Sequence, residues 1–139
     1  MTDHDAAVGR LKPDAIRAAG FSYSPYSHFR VGAAVISDAG KIYAGCNVEN
    51  GSFGLTQCAE RTALTAAIAD GAAPGSLSTL LIYIPGETAH APCGACRQVM
   101  NELMAENSLV ISCCDGDAVQ AWTRSEYLPD PFVPDTLLK

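Results

Sequence analysis

The sequence lacks the long apolar run, the basic stripe and the low-complexity tract that would indicate a membrane, a polynucleotide-binding or a disordered protein. Apolar runs such as Leu80 to Ile84 are far shorter than the roughly 20 residues that span a bilayer. Only 9 Lys and Arg stand against 15 Asp and Glu, for a formal net charge of −6. Because polynucleotides are bound largely through Lys and Arg on phosphates, we expect no nucleic-acid partner, no membrane partner, and a neutral small molecule as ligand.

The composition is otherwise that of an ordinary globular protein. Of the 139 residues, 48% are hydrophobic and 17% are charged. The length fits a single domain over residues 1–139 that buries its own core. The first five residues have neither the basic nor the apolar part of a signal peptide. We therefore expect a cytoplasmic protein.

Six cysteines would be enough for three disulfides. They stand at positions 46, 58, 93, 96, 113 and 114. In a cytoplasmic chain with enough apolar residues for a core, such spacing more often indicates a metal site or catalysis than disulfides. We interpret Cys113 and Cys114 as small apolar residues at the end of a buried strand.

Periodicity and turn residues divide the chain into helices and strands. We predict helices over 5–20 (with a break or fresh start at Pro13), 58–70 and 93–106. We predict strands over 29–36, 42–48, 78–84, 109–113 and 118–122, followed by a proline-broken tail. Gly32 to Ala34 would let another backbone approach closely. This order predicts a three-layer α/β/α domain with a mixed five-stranded sheet, its first pair antiparallel and its other strands joined by right-handed crossovers.

Three of the cysteines could hold one zinc ion. Cys93 and Cys96 are three residues apart and share one face of a helix. Cys58 and Cys93 each open a predicted helix, where the macrodipole favours thiolates, and two parallel strands would bring those helix starts together. Three protein ligands leave a fourth zinc position open for water, on which Glu60 could act, as in catalytic sites.

Other interpretations stay open on these residues alone. Cys93 and Cys96 would also suit a redox protein, and Cys46 could be the fourth ligand of a zinc ion that only stabilises the fold. Three thiolates and Zn²⁺ leave about one negative charge. Arg61 could offset that charge by donating hydrogen bonds to thiolate sulfur.

A wider set of motifs distinguishes between these interpretations of the cysteines. Cys-Ala-Glu at 58–60 with Pro-Cys-Gly-Ala-Cys at 92–96 is the three-cysteine form of the zinc deaminase signature. Together with the segments 24–34, 45–50, 58–63 and 92–98, it resembles the small, homotetrameric zinc-dependent cytidine deaminases. The resemblance implies the cytidine deaminase-like α/β/α fold, one Zn²⁺ per subunit, and a homotetramer whose sites are shared between subunits.

The resemblance also implies roles for the residues at the metal. Cys58, Cys93 and Cys96 look like the zinc ligands, and Glu60 like the proton shuttle. Arg61 would donate hydrogen bonds to the thiolates, which agrees with the charge argument.

Further roles implied by the resemblance concern the substrate. Asn47 and Glu49 resemble the pair that hydrogen-bonds the ribose hydroxyls, and Phe29 the aromatic residue beside the nucleoside. The backbone of Ala59 and Cys93 would contact the amide edge of the base. Phe132 resembles a C-terminal aromatic residue that covers a neighbouring subunit's site.

The implied reaction is hydrolytic deamination of cytidine and deoxycytidine to uridine and deoxyuridine. An alternative is a deaminase of a modified cytosine nucleoside, of the N4-substituted or blasticidin S type, because residues 84–91 depart from the family's usual pattern. We interpret His90, at the end of that run, as a surface residue.

Overall fold

The computed structural model describes residues 3–135 and 137, and its centre is a five-stranded sheet. Its strands are β1 (Gly32–Ser37), β2 (Ile42–Cys46), β3 (Leu77–Tyr83), β4 (Met104–Cys113) and β5 (Val119–Thr123), in the order β2-β1-β3-β4-β5. β1 is antiparallel to both of its neighbours, β4 is parallel to β3, and β5 is antiparallel to β4. The predicted mixed sheet with an antiparallel first pair is confirmed. The predicted crossover to the last strand is wrong, because the short connection after Cys113 suits a hairpin, not a parallel pair.

Helices cover both faces of the sheet. They are α1 (Asp3–Ala19), α2 (Ala59–Ala69), α3 (Gly94–Leu103) and the one-turn α4 (Arg124–Tyr127). α1 buries apolar residues at helical spacing on one face, against Leu81 and Ile111 of the sheet. α2 and α3 bury Leu64 and Met100 on the other face. The three-layer α/β/α prediction is therefore confirmed.

α1 runs through Pro13 without the predicted break. Proline removes one intrahelical hydrogen bond and crowds the carbonyl four residues earlier, which here belongs to Gly9, an exposed residue whose carbonyl water can reach. Leu11 and Ala15 flank the proline, and both are fully buried against the sheet. Packing on both sides of Pro13 holds the helix in one piece.

Glycine lets helices lie unusually close to the sheet. A Cβ at Gly32 would stand 1.9 Å from the carbonyl oxygen of Ala15 in α1. On the other face, a Cβ at Gly45 would stand 2.6 Å from the backbone nitrogen of Ala63 in α2. The close approach predicted around Gly32 is confirmed.

The C-terminal half of the chain differs from the prediction at the end of α3, at the start of β4 and at the start of the tail. α3 ends at Leu103, not near residue 106, because Met104 is buried and pairs with Leu77 at the start of the β3–β4 ladder. The tail begins with α4, whose start is stabilised by a capping box between Thr123 and Glu126. No helix in the described part of the chain has the length and apolarity needed to cross a membrane.

The topology brings two strand ends to one place. β2 and β3 run in the same direction, since both are antiparallel to β1. Their last residues, Cys46 and Tyr83, both pair with Gly32, the first residue of β1. The segments that leave these strands lead into α2 and α3, so the starts of both helices lie at the same edge of the sheet.

Candidate metal centre

Three thiols meet at this edge. Cys58 is the N-cap of α2, Cys93 is the N-cap of α3, and Cys96 lies in the first turn of α3. The Sγ atoms of Cys58 and Cys93 are 3.8 Å apart, and those of Cys93 and Cys96 are 3.4 Å apart. All three sulfurs lie within 4.8 Å of one another. Three converging soft sulfur donors fit Zn²⁺, which takes thiolate ligands in tetrahedral geometry.

The other cysteines stand apart from this cluster. Within residues 3–135 and 137, only Cys58, Cys93 and Cys96 form a group able to hold a metal. Cys46 is half-buried in β2 and is not the fourth ligand of that group, while Cys113 and Cys114 are buried at the end of β4 as predicted. All six thiols are free in the described chain. The donor set therefore has three members, and a tetrahedral ion would keep one position for another molecule.

Hydrogen bonding at the cluster favours deprotonation of one thiol, that of Cys58. Hydrogen bonding from the Cys96 thiol and from the Arg61 guanidinium lowers the pKa of Cys58 to about 5. The Nη2 of Arg61 donates to the Cys58 sulfur at 3.3 Å. The Arg61 Nε is buried without a partner among the described atoms, so a donor is still available beside the sulfurs. Arg61 therefore lies against the metal cluster through its contact with Cys58.

Glu60 is the acid of the site. It lies in the first turn of α2, and only 5% of its surface is exposed. Burial raises its pKa above the usual value of 4.5, and the neighbouring Cys58 charge raises it further. A carboxyl group whose pKa is raised holds a proton more readily than an exposed one, which suits a group that takes a proton and returns it.

A cavity of about 410 Å³ opens over the thiols and Glu60. The predicted substrate residues Phe29, Asn47, Glu49 and Ala59 line it, beside a largely apolar wall formed by Val31, Ile82, Ile84 and Ala91. A larger cavity of about 560 Å³ lies between α3, α4 and residues 128–131, but no thiol lines it. The smaller cavity is the one that joins the metal ligands to an apolar, nucleoside-sized space.

Asn47 is held in one orientation by its neighbours. Its Oδ1 accepts hydrogen bonds from the Ser22 hydroxyl at 2.5 Å and from the Val31 N–H at 3.0 Å. Its Nδ2 donates to the Phe29 carbonyl at 2.7 Å. An amide nitrogen has two hydrogens, so one donor of this 7%-exposed side chain is left for a ligand in the cavity.

Glu49 accepts hydrogen bonds from a turn beside the cavity, at Tyr26 and Ser27. Its Oε1 accepts from the backbone N–H groups of Tyr26 and Ser27, and its Oε2 accepts from the Ser27 hydroxyl. The Ser27 hydroxyl bond and these backbone bonds lower the pKa of Glu49, which stays ionised at neutral pH. The side chain is therefore a fixed hydrogen-bond acceptor at the cavity.

Three polar residues of the cavity were missed at the level of sequence. Ser27 and Thr56 line it from loops, and so does His90, which is exposed as predicted but faces the cavity. The His90 ring packs edge-to-face on Phe29, with the centroids 5.3 Å apart. The position of His90 three residues before Cys93 is the one signal that could have placed it near the metal.

Phe132 is the one predicted substrate residue outside this cavity. Its side chain is 64% exposed, and its carbonyl oxygen accepts a hydrogen bond from the Gln98 side chain of α3 at 3.4 Å. Within one subunit it covers nothing at the metal centre. A role at the site would require a neighbouring subunit.

Comparison with known proteins points to one family. Residues 9–112 match the family model described as the cytidine and deoxycytidylate deaminase zinc-binding region. The chain is 42% identical over 130 residues to a cytidine deaminase of Halalkalibacterium halodurans, covering 91% of this chain and 95% of the relative. It is 39% identical over 133 residues to a cytidine deaminase of Mycobacterium tuberculosis, covering 96% and 95%.

A solved structure agrees with these relatives. The cytidine deaminase of Burkholderia pseudomallei superposes with a TM-score of 0.85 at 42% identity, over 95% of this chain and all of the other.

Proposed function

The chain belongs to the cytidine and deoxycytidylate deaminase family, and we propose that it catalyses the zinc-dependent hydrolytic deamination of cytidine and deoxycytidine. The observation that carries this function is the cavity in which three thiols and a buried glutamate meet. The relatives named above are all cytidine deaminases. The alternative of a modified cytosine nucleoside is accordingly not favoured.

In this proposal the three cysteines are the metal ligands, and Glu60 carries the protons. A Zn²⁺ ion held by Cys58, Cys93 and Cys96 would supply the Lewis acid that activates water. Glu60 takes a proton from the attacking water and delivers it to N3 of the cytosine ring, while the water oxygen adds to C4. Glu60 then takes the proton of the new C4 hydroxyl and gives it to the amino group. The C4–N bond breaks, ammonia leaves, and the C4 carbonyl of uracil forms.

The remaining residues of the cavity orient the nucleoside. The free hydrogen of the Asn47 amide and the Glu49 carboxylate bind the ribose hydroxyls; their support is that both side chains line the cavity. Phe29 packs beside the base, and the backbone of Ala59 and Cys93 meets its amide edge. Arg61 donates to the sulfurs and offsets their excess negative charge.

We further propose a homotetramer in which each Phe132 covers a neighbour's cavity. Support comes from large apolar side chains left exposed on a single subunit. Phe21, Phe53 and Leu55 are 77%, 74% and 65% exposed, and exposed apolar residues in such number favour an interface.

A cytoplasmic location fits the free thiols, since disulfides are rare in that compartment.

The function is tested by an ultraviolet assay on cytidine and deoxycytidine, with zinc measured on the same preparation. We expect about one zinc per chain, loss of activity after chelation, and recovery on adding zinc. A zinc-loaded protein that deaminates neither nucleoside would refute the proposal. Deamination that survives complete removal of the metal would refute its zinc dependence.

A further inference from the structure

The loop before α3 brings one aromatic ring to the cavity, that of His90. His90 lines the cavity and meets Phe29 edge-to-face, with an interplanar angle of 88° and centroids 5.3 Å apart. Such T-shaped arrangements are the preferred geometry of ring pairs. Phe29 itself is 44% exposed and lies before the start of β1, so no regular element confines its ring.

The backbone around His90 is anchored to the sheet at two points. The His90 N–H donates to the Ser112 hydroxyl at 3.1 Å, and the Gln120 side chain donates to the Ala89 carbonyl at 3.0 Å. Ser112 of β4 and Gln120 of β5 are direct partners in the β4–β5 ladder. Ser112 is fully buried. One cross-strand pair therefore fixes the residue whose ring touches Phe29.

We propose that His90 is a positioning residue, clamped by Ser112 and Gln120, that holds the Phe29 ring against the substrate. The inference rests on the proposed function, in which Phe29 packs beside the base. His90 acts through its ring contact with Phe29 and supplies no proton to the reaction. Its loss therefore weakens nucleoside binding without slowing the chemistry at C4.

Substitutions at His90 distinguish the contribution of its ring from that of its polar atoms. We expect His90→Ala to raise KM for cytidine roughly 2- to 10-fold, the range for loss of one aromatic pair, with kcat unchanged. His90→Phe keeps a ring edge and should restore KM, whereas His90→Gln keeps a polar group without a ring and should not. The inhibition constant of the product uridine should rise in parallel in His90→Ala.

A matched control is His4→Ala, the same change at an exposed residue of α1 far from the cavity in sequence. It should leave both constants at their wild-type values. Melting temperatures of all variants separate a fold defect from a positioning defect, since a general loss of stability would not be reversed by one aromatic replacement.

The clamp is tested by a double-mutant cycle. Ser112→Ala should raise KM in the wild-type background and have no further effect in the His90→Ala background, because Ser112 acts through His90. An unchanged KM in His90→Ala, a rescue by Gln as good as that by Phe, a fall in kcat, or additive effects of the two substitutions would overturn the inference. A wild-type protein inactive on cytidine would instead refute the proposed function.

Discussion

The two walls of the cavity are built in different ways. The inner wall consists of Cys58, Cys93, Cys96 and Glu60, and all four lie at or just after the N-cap of a helix. The outer wall consists of loop side chains, such as Asn47 and Glu49, held by hydrogen bonds to other loop residues. Helix starts give fixed positions and a positive end that favours thiolates, whereas loops give donors and acceptors that follow the shape of a ligand.

The difference between the two walls predicts which property a substitution in each of them should change. Changes in the inner wall should affect the metal or the chemical step, and changes in the outer wall should affect binding. A substitution in one wall that gives the defect expected of the other would break the comparison.

The largest effect is expected from Glu60→Gln. The amide cannot exchange protons, so kcat should fall by about 10²- to 10⁴-fold, while the three sulfurs and their zinc stay in place. Steady-state kinetics and zinc analysis on one sample check this. Loss of zinc from the variant would show that Glu60 serves the metal site, and a near-normal kcat would show that Glu60 is not the proton carrier.

The next effect is expected from Arg61→Gln. This change removes the Nη2 donor to the Cys58 sulfur and the positive charge beside it, so zinc affinity should fall about 10- to 100-fold, as for other groups that support metal ligands. Competition with a chelator measures the affinity. Arg61→Lys is the control: it restores charge without the paired donors, and full rescue by Lys would mean that charge alone matters.

The inner wall could be predicted from the sequence, and the reason is local. Cys93 and Cys96 share a helix turn whatever surrounds them, and Cys58 with Glu60 opens a second helix. The sheet order then brings the two helix starts together through the pairing of both strand ends with Gly32. Short-range spacing and one topological rule were sufficient.

The outer wall was predictable only in part. The motif led to Asn47 and Glu49, but their hydrogen bonds to Ser22 and Ser27 span 25 and 22 residues and leave no periodic signal. His90 was missed as a cavity residue because its place depends on Ser112 and Gln120, which lie on later strands. Pro13 was misjudged for the same kind of reason, since packing of α1 against the sheet outweighs a local preference.

A smaller effect is expected from Asn47→Ala. KM should rise roughly 3- to 10-fold through loss of one hydrogen bond to the nucleoside, and the free energy of unfolding should fall by about 1–3 kcal/mol because the Val31 N–H and the Ser22 hydroxyl lose their buried acceptor. Kinetics and denaturant unfolding measure the two effects. Asn107→Ala, at an exposed position of β4, is the matched control, and a lowered kcat with unchanged KM would contradict the placement of Asn47 in the outer wall.

The smallest effect is expected from Glu49→Gln. The amide keeps one acceptor for the Tyr26 and Ser27 N–H groups, so KM at neutral pH should rise only about 2- to 3-fold, the lower end for one hydrogen bond. The pH dependence is more telling. Because the pKa of Glu49 is lowered from 4.5 by the Ser27 hydroxyl bond, its bonds to the turn persist above that lowered pKa and are lost as pH falls through it. Wild-type KM should therefore rise at acid pH in a step that the Gln variant lacks. The same acid step in both proteins would show that a group other than Glu49 controls binding.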